Sequence, residues 1–268
     1  MKKERIDVLL VQQGFFETRE KAKRSVMAGL VLVNQERIDK PGEKVAIDGV
    51  ITVKGNICPY VSRGGLKLKK AIDLWEIDLT NQIVIDIGAS TGGFTDCSLQ
   101  HGAKLSYAID VGYNQLDWKM REDERVISME RTNFRYVTLE DLPAGQPTFS
   151  CIDVSFISLK LILPVLRTLL AKEGQIVALI KPQFEAGREQ VGKKGIIRDK
   201  KVHLSVLHDI LGFITELDLS LLHLTYSPIK GGEGNIEFLV HIGYNEEVRT
   251  NVSESDIQAV VEAAHNQL

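Results

Sequence analysis

Four short segments spread over most of the chain each offer one charged residue of a type that handles protons. They are Lys67 in SRGGLKL, Asp153 in CIDVSF, Lys181 in LIKPQFE and Glu237 in GNIEF. Between the first two lies VIDIGASTGGFTDCSLQHGAKLSYAIDVG, which reads as strand, glycine turn, helix, strand and terminal acid. Two lysines and two carboxylates beside a nucleotide-type pocket suit transfer of a group to a hydroxyl, because the hydroxyl must be oriented and its proton handled. Taken singly, each residue has a plainer reading: lysines at strand ends are often merely exposed, and a glutamate can cap a sheet edge.

The elements that must position them follow from hydrophobic periodicity. QIVIDIG is an apolar strand ending at Asp86 and Gly88, and LSYAID is a second strand ending at Asp110, 24 residues beyond Asp86. The turn between them supplies Gly88, Ser90, Gly92 and Gly93 as candidate cofactor contacts, with Asp86 and Asp110 as flanking acids. A dinucleotide fingerprint wants glycine where Ser90 stands, which disfavours that ligand. Asp153 and Lys181 end strands in FSCIDV and QIVALIK, so in a parallel sheet both project at one carboxyl edge. RVISM and LSLLHLTYS read as further strands. Helices fit SLKLILPVLRTLLAKEG, KKVHLSVLHDILGFITEL and SESDIQAVVEAAHNQL. The stretch EAGREQVGKKGIIRD, about residues 186–199, lacks periodicity and reads as a mobile loop: a lid, an RNA contact or plain surface.

The N-terminal segment differs from the rest. Residues 1–56 hold eleven Lys plus Arg and eight Asp plus Glu, a balance of +3 within a chain of net charge −3, which leaves −6 for the remainder. RIDVLLVQQG reads as a short helix with Ile6, Leu9 and Leu10 on one face. Thr18 is a candidate cap for the basic helix REKAKRSVMAG, and the runs LVLVN, KVAI and VITV read as strands. TREKAKRSVMAGLVLVN followed by DKPGEKV resembles the S4-type RNA-binding domain; the departure is Gln35, where many members carry glycine. By that resemblance, Arg19, Lys21, Lys23 and Arg24, with Arg63 further on, are RNA-contact candidates that grip phosphate and groove shape. The expected organisation is an S4-like α+β domain over 1–58, a linker over 59–65 marked by Pro59 and Gly64–Gly65, and a domain over 66–268.

Composition bounds the rest. The chain of 268 residues is 44% hydrophobic and 26% charged, ordinary for a soluble globular protein. The apolar stretch near the start is too short for a signal peptide, and no apolar run approaches the roughly 20 residues that span a bilayer. Cys58, Cys97 and Cys151 form no C-x-x-C pair and read as reduced thiols of a cytoplasmic protein, and no metal-ligand spacing is present.

The turn DIGASTGGF resembles the first motif of S-adenosylmethionine-dependent methyltransferases, in which the turn contacts the methionine part and the acid, here Asp110, the ribose. The methyltransferase fold normally closes with an antiparallel strand. If IEFLVHIG is that strand, it starts at the same edge and brings Glu237 there, with Lys67 arriving from the helix LKLKKAIDLW. The set Lys67, Asp153, Lys181 and Glu237 matches the tetrad of FtsJ-like ribose 2′-O-methyltransferases. Joined to an S4-type domain, the chain resembles the TlyA family over nearly its whole length. The resemblance implies a Rossmann-like α/β domain with a mostly parallel sheet, S-adenosylmethionine as cofactor, ribosomal RNA or ribosomal subunits as partner, and methylation of a cytidine 2′-hydroxyl, with Lys181 nearest that hydroxyl. The rivals are a methyltransferase for another RNA position, an assembly factor that only binds RNA, and a pore-forming haemolysin, which would need a membrane-inserting segment.

Overall fold

The structure is a computed structural model that describes residues 3–16, 18–27, 29–54, 58–192, 195–231, 234–245 and 247–268; the side chains of Arg24 and Arg188 lie outside that description. The chain divides into two compact units, Met1–Pro59 and Tyr60–Leu268.

The first unit runs β1 (Lys3–Arg5), α1 (Ile6–Gln12), α2 (Arg19–Met27), β2 (Val31–Val33), β3 (Glu36–Ile38), β4 (Lys44–Ala46) and β5 (Ile51–Val53). An antiparallel sheet in the order β3-β2-β5 is joined by the separate pair β1-β4. Ile6, Leu9 and Leu10 from α1 and Ala22 and Val26 from α2 pack on Val31, Val33, Ile38 and Val45. Thr18 Oγ1 accepts the Lys21 amide at 3.3 Å, as the capping pattern predicts. β1 and β3 were not evident as strands, being short and polar. Asn34 and Gln35 both take positive φ, 50° and 71°, so the position where glycine is common does demand a left-handed backbone.

The second unit runs α3 (Gly65–Trp75), β6 (Ile83–Ile87), α4 (Gly93–Gln100), β7 (Leu105–Ile109), α5 (Trp118–Arg121), β8 (Val126–Met129), β9 (Phe149–Ile152), α6 (Leu163–Leu169), β10 (Gln175–Ile180), α7 (Pro182–Glu185), α8 (Lys200–Glu216), β11 (Ser220–Tyr226), β12 (Phe238–Gly243) and α9 (Glu254–Gln267). Its sheet has seven strands in the order β11-β12-β10-β9-β6-β7-β8. β12 is antiparallel to both neighbours and the other pairings are parallel, which is a Rossmann-like arrangement closed by one reversed strand.

Local sequence explains several boundaries. The helix read over 158–174 is split into a 3₁₀ turn at Leu159–Leu161 and α6, because Pro164 lacks an N–H and fits only a first helical turn. α8 is capped by Asp199, whose side chain accepts the Lys201 amide, and buries Val206, Leu207, Ile210, Leu211 and Ile214 at helical spacing. Ser253 and Asp256 form a capping box at α9. Residues 60–65, read as linker, pack inside the second unit. Tyr60 is buried, its ring fills the space where a Cβ on Gly65 would sit, and the Val61 amide donates to Asp96 Oδ2 at 2.8 Å. Among the described residues, no helix is long and apolar enough to cross a membrane.

Candidate active site

The strand register puts five residues on one edge of the second unit's sheet. Ile87 pairs with Ile109 on one side and Ile152 on the other, and Ile180 pairs with Phe238. Gly88, Asp110, Asp153 and Lys181 are therefore each the first residue beyond a parallel strand, and Glu237 directly precedes the antiparallel one. Lys67 comes from the first turn of α3.

The four charged side chains meet. Lys67 Nζ lies 2.7 Å from Glu237 Oε2 and 3.1 Å from Asp153 Oδ2, while Lys181 Nζ lies 2.5 Å from Asp153 Oδ1, off the hydrogen-bonding direction. Lys181 Nζ also donates to Ser155 Oγ at 3.1 Å. Lys67, Lys181 and Glu237 are buried. Burial alone would lower the Lys67 pKa, but the carboxylates of Asp153 and Glu237 outweigh it and hold it above the ordinary lysine value. Burial would likewise raise Asp153, and its two lysine neighbours reverse that and hold it below the usual carboxylate range. Removing any one member leaves a buried charge uncompensated.

Two cavities adjoin at this edge. The first, about 340 Å³, is lined by all four charged residues together with Arg63, Gly93, Phe184 and Gly231. The second, about 320 Å³, is lined by Asp110, Val111, Gln115, Asn133, Phe134 and Ile157 among others. Gly88, Ser90, Asp153, Ser155 and Phe156 line both. A Cβ on Gly88 would lie 2.6 Å from the Asp153 carbonyl oxygen, so only glycine lets the turn close against the next strand end. Asp110 accepts the Ser90 amide at 2.8 Å on Oδ2 and the Gly112 amide at 2.7 Å on Oδ1, which fixes its carboxylate in the wall with lone pairs left for ligand hydroxyls.

Not every candidate reaches a cavity. Asp86 is fully buried and lines neither: its Oδ2 accepts the Thr95 amide at 2.9 Å and the Thr95 hydroxyl at 2.7 Å, so it anchors the start of α4 from behind the glycine turn. Gly92 caps α4 behind the turn and also lines neither. In the first unit, Arg19 is committed to the buried Asp7 at 2.8 Å, and Lys23 pairs with Glu20 at 2.6 Å. A buried carboxylate needs cations, and lysine three residues after glutamate on a helix finds it. The Lys21 amide donates to the Thr18 hydroxyl at the start of α2, and the Arg24 side chain lies outside the described residues.

The structure adds residues the sequence did not single out. Phe156 is 90% exposed with φ of 63°, and its ring centroid sits 4.9 Å from that of Phe184 at the cavity mouth. Its one sequence signal is its place three residues after Asp153. Asn235 joins the 186–199 stretch to the Glu237 segment: Ile197 N–H donates to its Oδ1 at 2.9 Å and its Nδ2 donates to the Gly195 carbonyl at 2.8 Å. Part of that stretch is thus pinned rather than free, while Lys193 and Lys194 lie outside the described residues.

Comparison with known proteins bears on the whole chain. The model of the FtsJ-like methyltransferase family matches residues 60–244, and that of the S4 domain matches residues 4–51. The chain is 60% identical over 269 residues to "Putative rRNA methyltransferase YqxC" of Bacillus subtilis, covering 100% of the chain and 96% of the relative. It is 36% identical over 237 residues to "16S/23S rRNA (cytidine-2′-O)-methyltransferase TlyA" of Mycobacterium tuberculosis, covering 88% of each. A solved structure, "Putative hemolysin from Streptococcus thermophilus", is 55% identical with a TM-score of 0.80, covering 100% of the chain and 97% of that structure. With the fold, the strand-edge cluster and these matches together, the chain belongs to the FtsJ-like methyltransferases, in the TlyA family, and carries an S4 domain ahead of the methyltransferase domain.

Proposed function

We propose that the chain is an S-adenosylmethionine-dependent methyltransferase acting on the ribose 2′-hydroxyl of a cytidine in ribosomal RNA. The observation that carries this reading is the convergence of Lys67, Asp153, Lys181 and Glu237 on a cavity that shares its wall with the Asp110 cavity. The cofactor, when bound, supplies an electrophilic sulfonium methyl. The second cavity suits it, since Asp110 faces it with ribose-accepting oxygens and the Gly88 turn allows close backbone approach.

In this reading Lys181 Nζ is the group nearest the hydroxyl. It orients the oxygen for in-line attack and, in its neutral form, takes the proton released as the oxygen gains the methyl. Asp153 holds Lys181 on one oxygen and Lys67 on the other, and Glu237 holds Lys67 in turn. With both lysines charged, two cations and two anions balance, so the cavity floor then presents fixed dipoles rather than a net field against the phosphates of the substrate. The exposed ring of Phe156 beside Phe184 offers a stacking face for a base drawn out of its helix. Arg63 at the cavity rim and the S4 domain would hold RNA through phosphates and shape. A ribosomal RNA substrate would put the protein in the cytoplasm. The test is mass mapping of ribosomal RNA from cells with and without this protein. A 2′-O-methylcytidine lost with the protein supports the reading, and a lost base methylation or identical maps overturn it.

A further inference from the structure

Asn235 stands two residues before Glu237 and is 1% exposed. A buried amide must have its donor and acceptor satisfied, and both ends of this one are used on a single segment, the Gly195 carbonyl and the Ile197 N–H. Its own carbonyl accepts the Gly231 N–H at 2.9 Å, and the Gly231 carbonyl accepts the Gly234 N–H at 2.9 Å. Gly231 in turn packs on the glutamate: a Cβ added there would lie 2.5 Å from Glu237 Oε1. Glu237 Oε2 is the oxygen on Lys67. A continuous set of contacts thus runs from the Gly195–Ile197 segment through Asn235 and Gly231 to the Glu237 carboxylate. Asn235 itself lines neither cavity.

We propose that Asn235 is a positioning residue for the charged cluster: its side-chain amide ties the Gly195–Ile197 segment to the turn that seats Gly231 against Glu237, so that Glu237 meets Lys67 only while this clamp is closed. The catalytic meaning of that clamp rests on the methyl-transfer reading above, whereas the clamp itself does not. Lys67 is faced by Asp153 beyond β9 and by Glu237 before β12, with Lys181 beyond Asp153. Release of Glu237 removes one of the two anions that hold the Lys67 ammonium in its charged form.

The test follows the lysine titrations of the full chain by NMR of ¹³C-labelled lysine, with the Lys67 signal assigned by its loss in Lys67→Met. Asn235→Ala is expected to move the Lys67 titration downward by roughly one pH unit, as loss of one neighbouring opposite charge does. Glu237→Gln should give the same shift, and the double variant no more than either alone. Gly231→Ala approaches from the other side, its new methyl pressing on Glu237, and should shift Lys67 in the same direction; it serves if Asn235→Ala does not fold. Single-turnover methyl transfer by Asn235→Ala should fall by about 10²-fold, the scale for a displacement of about 1 Å, with S-adenosylmethionine affinity kept. A Lys67 titration identical to wild type in the folded variants, or additive shifts in the double variant, overturns the proposal. A shifted Lys67 in a chain that transfers no methyl leaves the clamp standing and overturns the functional reading instead.

Discussion

Asp86 gives a stability signature worked directly from its surroundings. Its carboxyl is fully buried, Oδ2 takes both Thr95 donors, and Oδ1 has no hydrogen-bond partner among the described residues. Burial pushes its pKa up from 3.8 to about 7, against the Thr95 hydrogen bonds. A carboxyl whose folded pKa is raised costs nothing below the unfolded value, and stability is lost as pH rises through the folded value. Between about pH 5 and pH 8.5 this group alone should remove on the order of 3 kcal/mol of stability. Asp86→Asn keeps an acceptor for Thr95 and cannot ionise. The assay is urea unfolding of wild type and Asp86→Asn across that range. His203 and His241, which burial pushes down to about 4, act in the opposite sense by losing stability below about pH 6.5, so the wild-type-minus-variant difference is the quantity to read. That difference should move in favour of Asp86→Asn by about 3 kcal/mol from low to high pH. A difference that stays flat, or grows in favour of wild type at high pH, refutes the buried neutral carboxyl.

Two further outcomes follow from the geometry. Asp110→Ala frees the Ser90 and Gly112 amides and removes the acceptor from the second cavity, so S-adenosylmethionine affinity by calorimetry should fall about ten- to a hundredfold, and an unchanged affinity removes Asp110 from the site. Arg19→Ala should lower the melting temperature of the N-terminal unit, because among the described residues it takes away one of the two arginines that pair with the buried Asp7 carboxylate, and an unchanged melting temperature refutes that pairing. Hydrogen bonds from Arg5 and, after the opposing effect of burial, from Arg19 hold Asp7 down at about 2, so the loss should be full above about pH 4 and close as pH falls towards about 2.

What the sequence made legible was the backbone period and the residues set at its ends. Asp153, Lys181 and Asp110 each follow an apolar run, and a run in a parallel sheet can end only at one edge, so their meeting was readable from spacing. Glu237 needed one more premise, a reversed last strand, which β12 supplies. Burial and pairing were not legible. Asp86 and Asp110 look alike as acids at strand ends, yet Asp86 is the penultimate residue of β6 and faces Thr95, while Asp110 is one step beyond β7 and faces the cavity. Arg19 reads as one of a basic row until Asp7, twelve residues earlier, is found buried beneath it. Gly64–Gly65 reads as a flexible joint, but Gly65 is there because the Tyr60 ring leaves no room for a side chain. Asn235 carries no local pattern at all, since its partners lie about forty residues upstream.

In the proposed function, the Lys67–Asp153–Lys181–Glu237 cluster serves methyl transfer to a ribose hydroxyl. The most direct measurement supplies the purified full chain with methyl-labelled S-adenosylmethionine and ribosomal RNA or subunits, then digests the product with alkali. Wild type should label a cytidine that resists alkaline cleavage, because the 2′-oxygen that would attack the phosphate is capped. Lys181→Ala should lose about 10²–10⁴-fold in rate with RNA and S-adenosylmethionine affinities kept. Labelling by Lys181→Ala at the wild-type rate, or a labelled nucleotide still cleaved by alkali, would contradict the account.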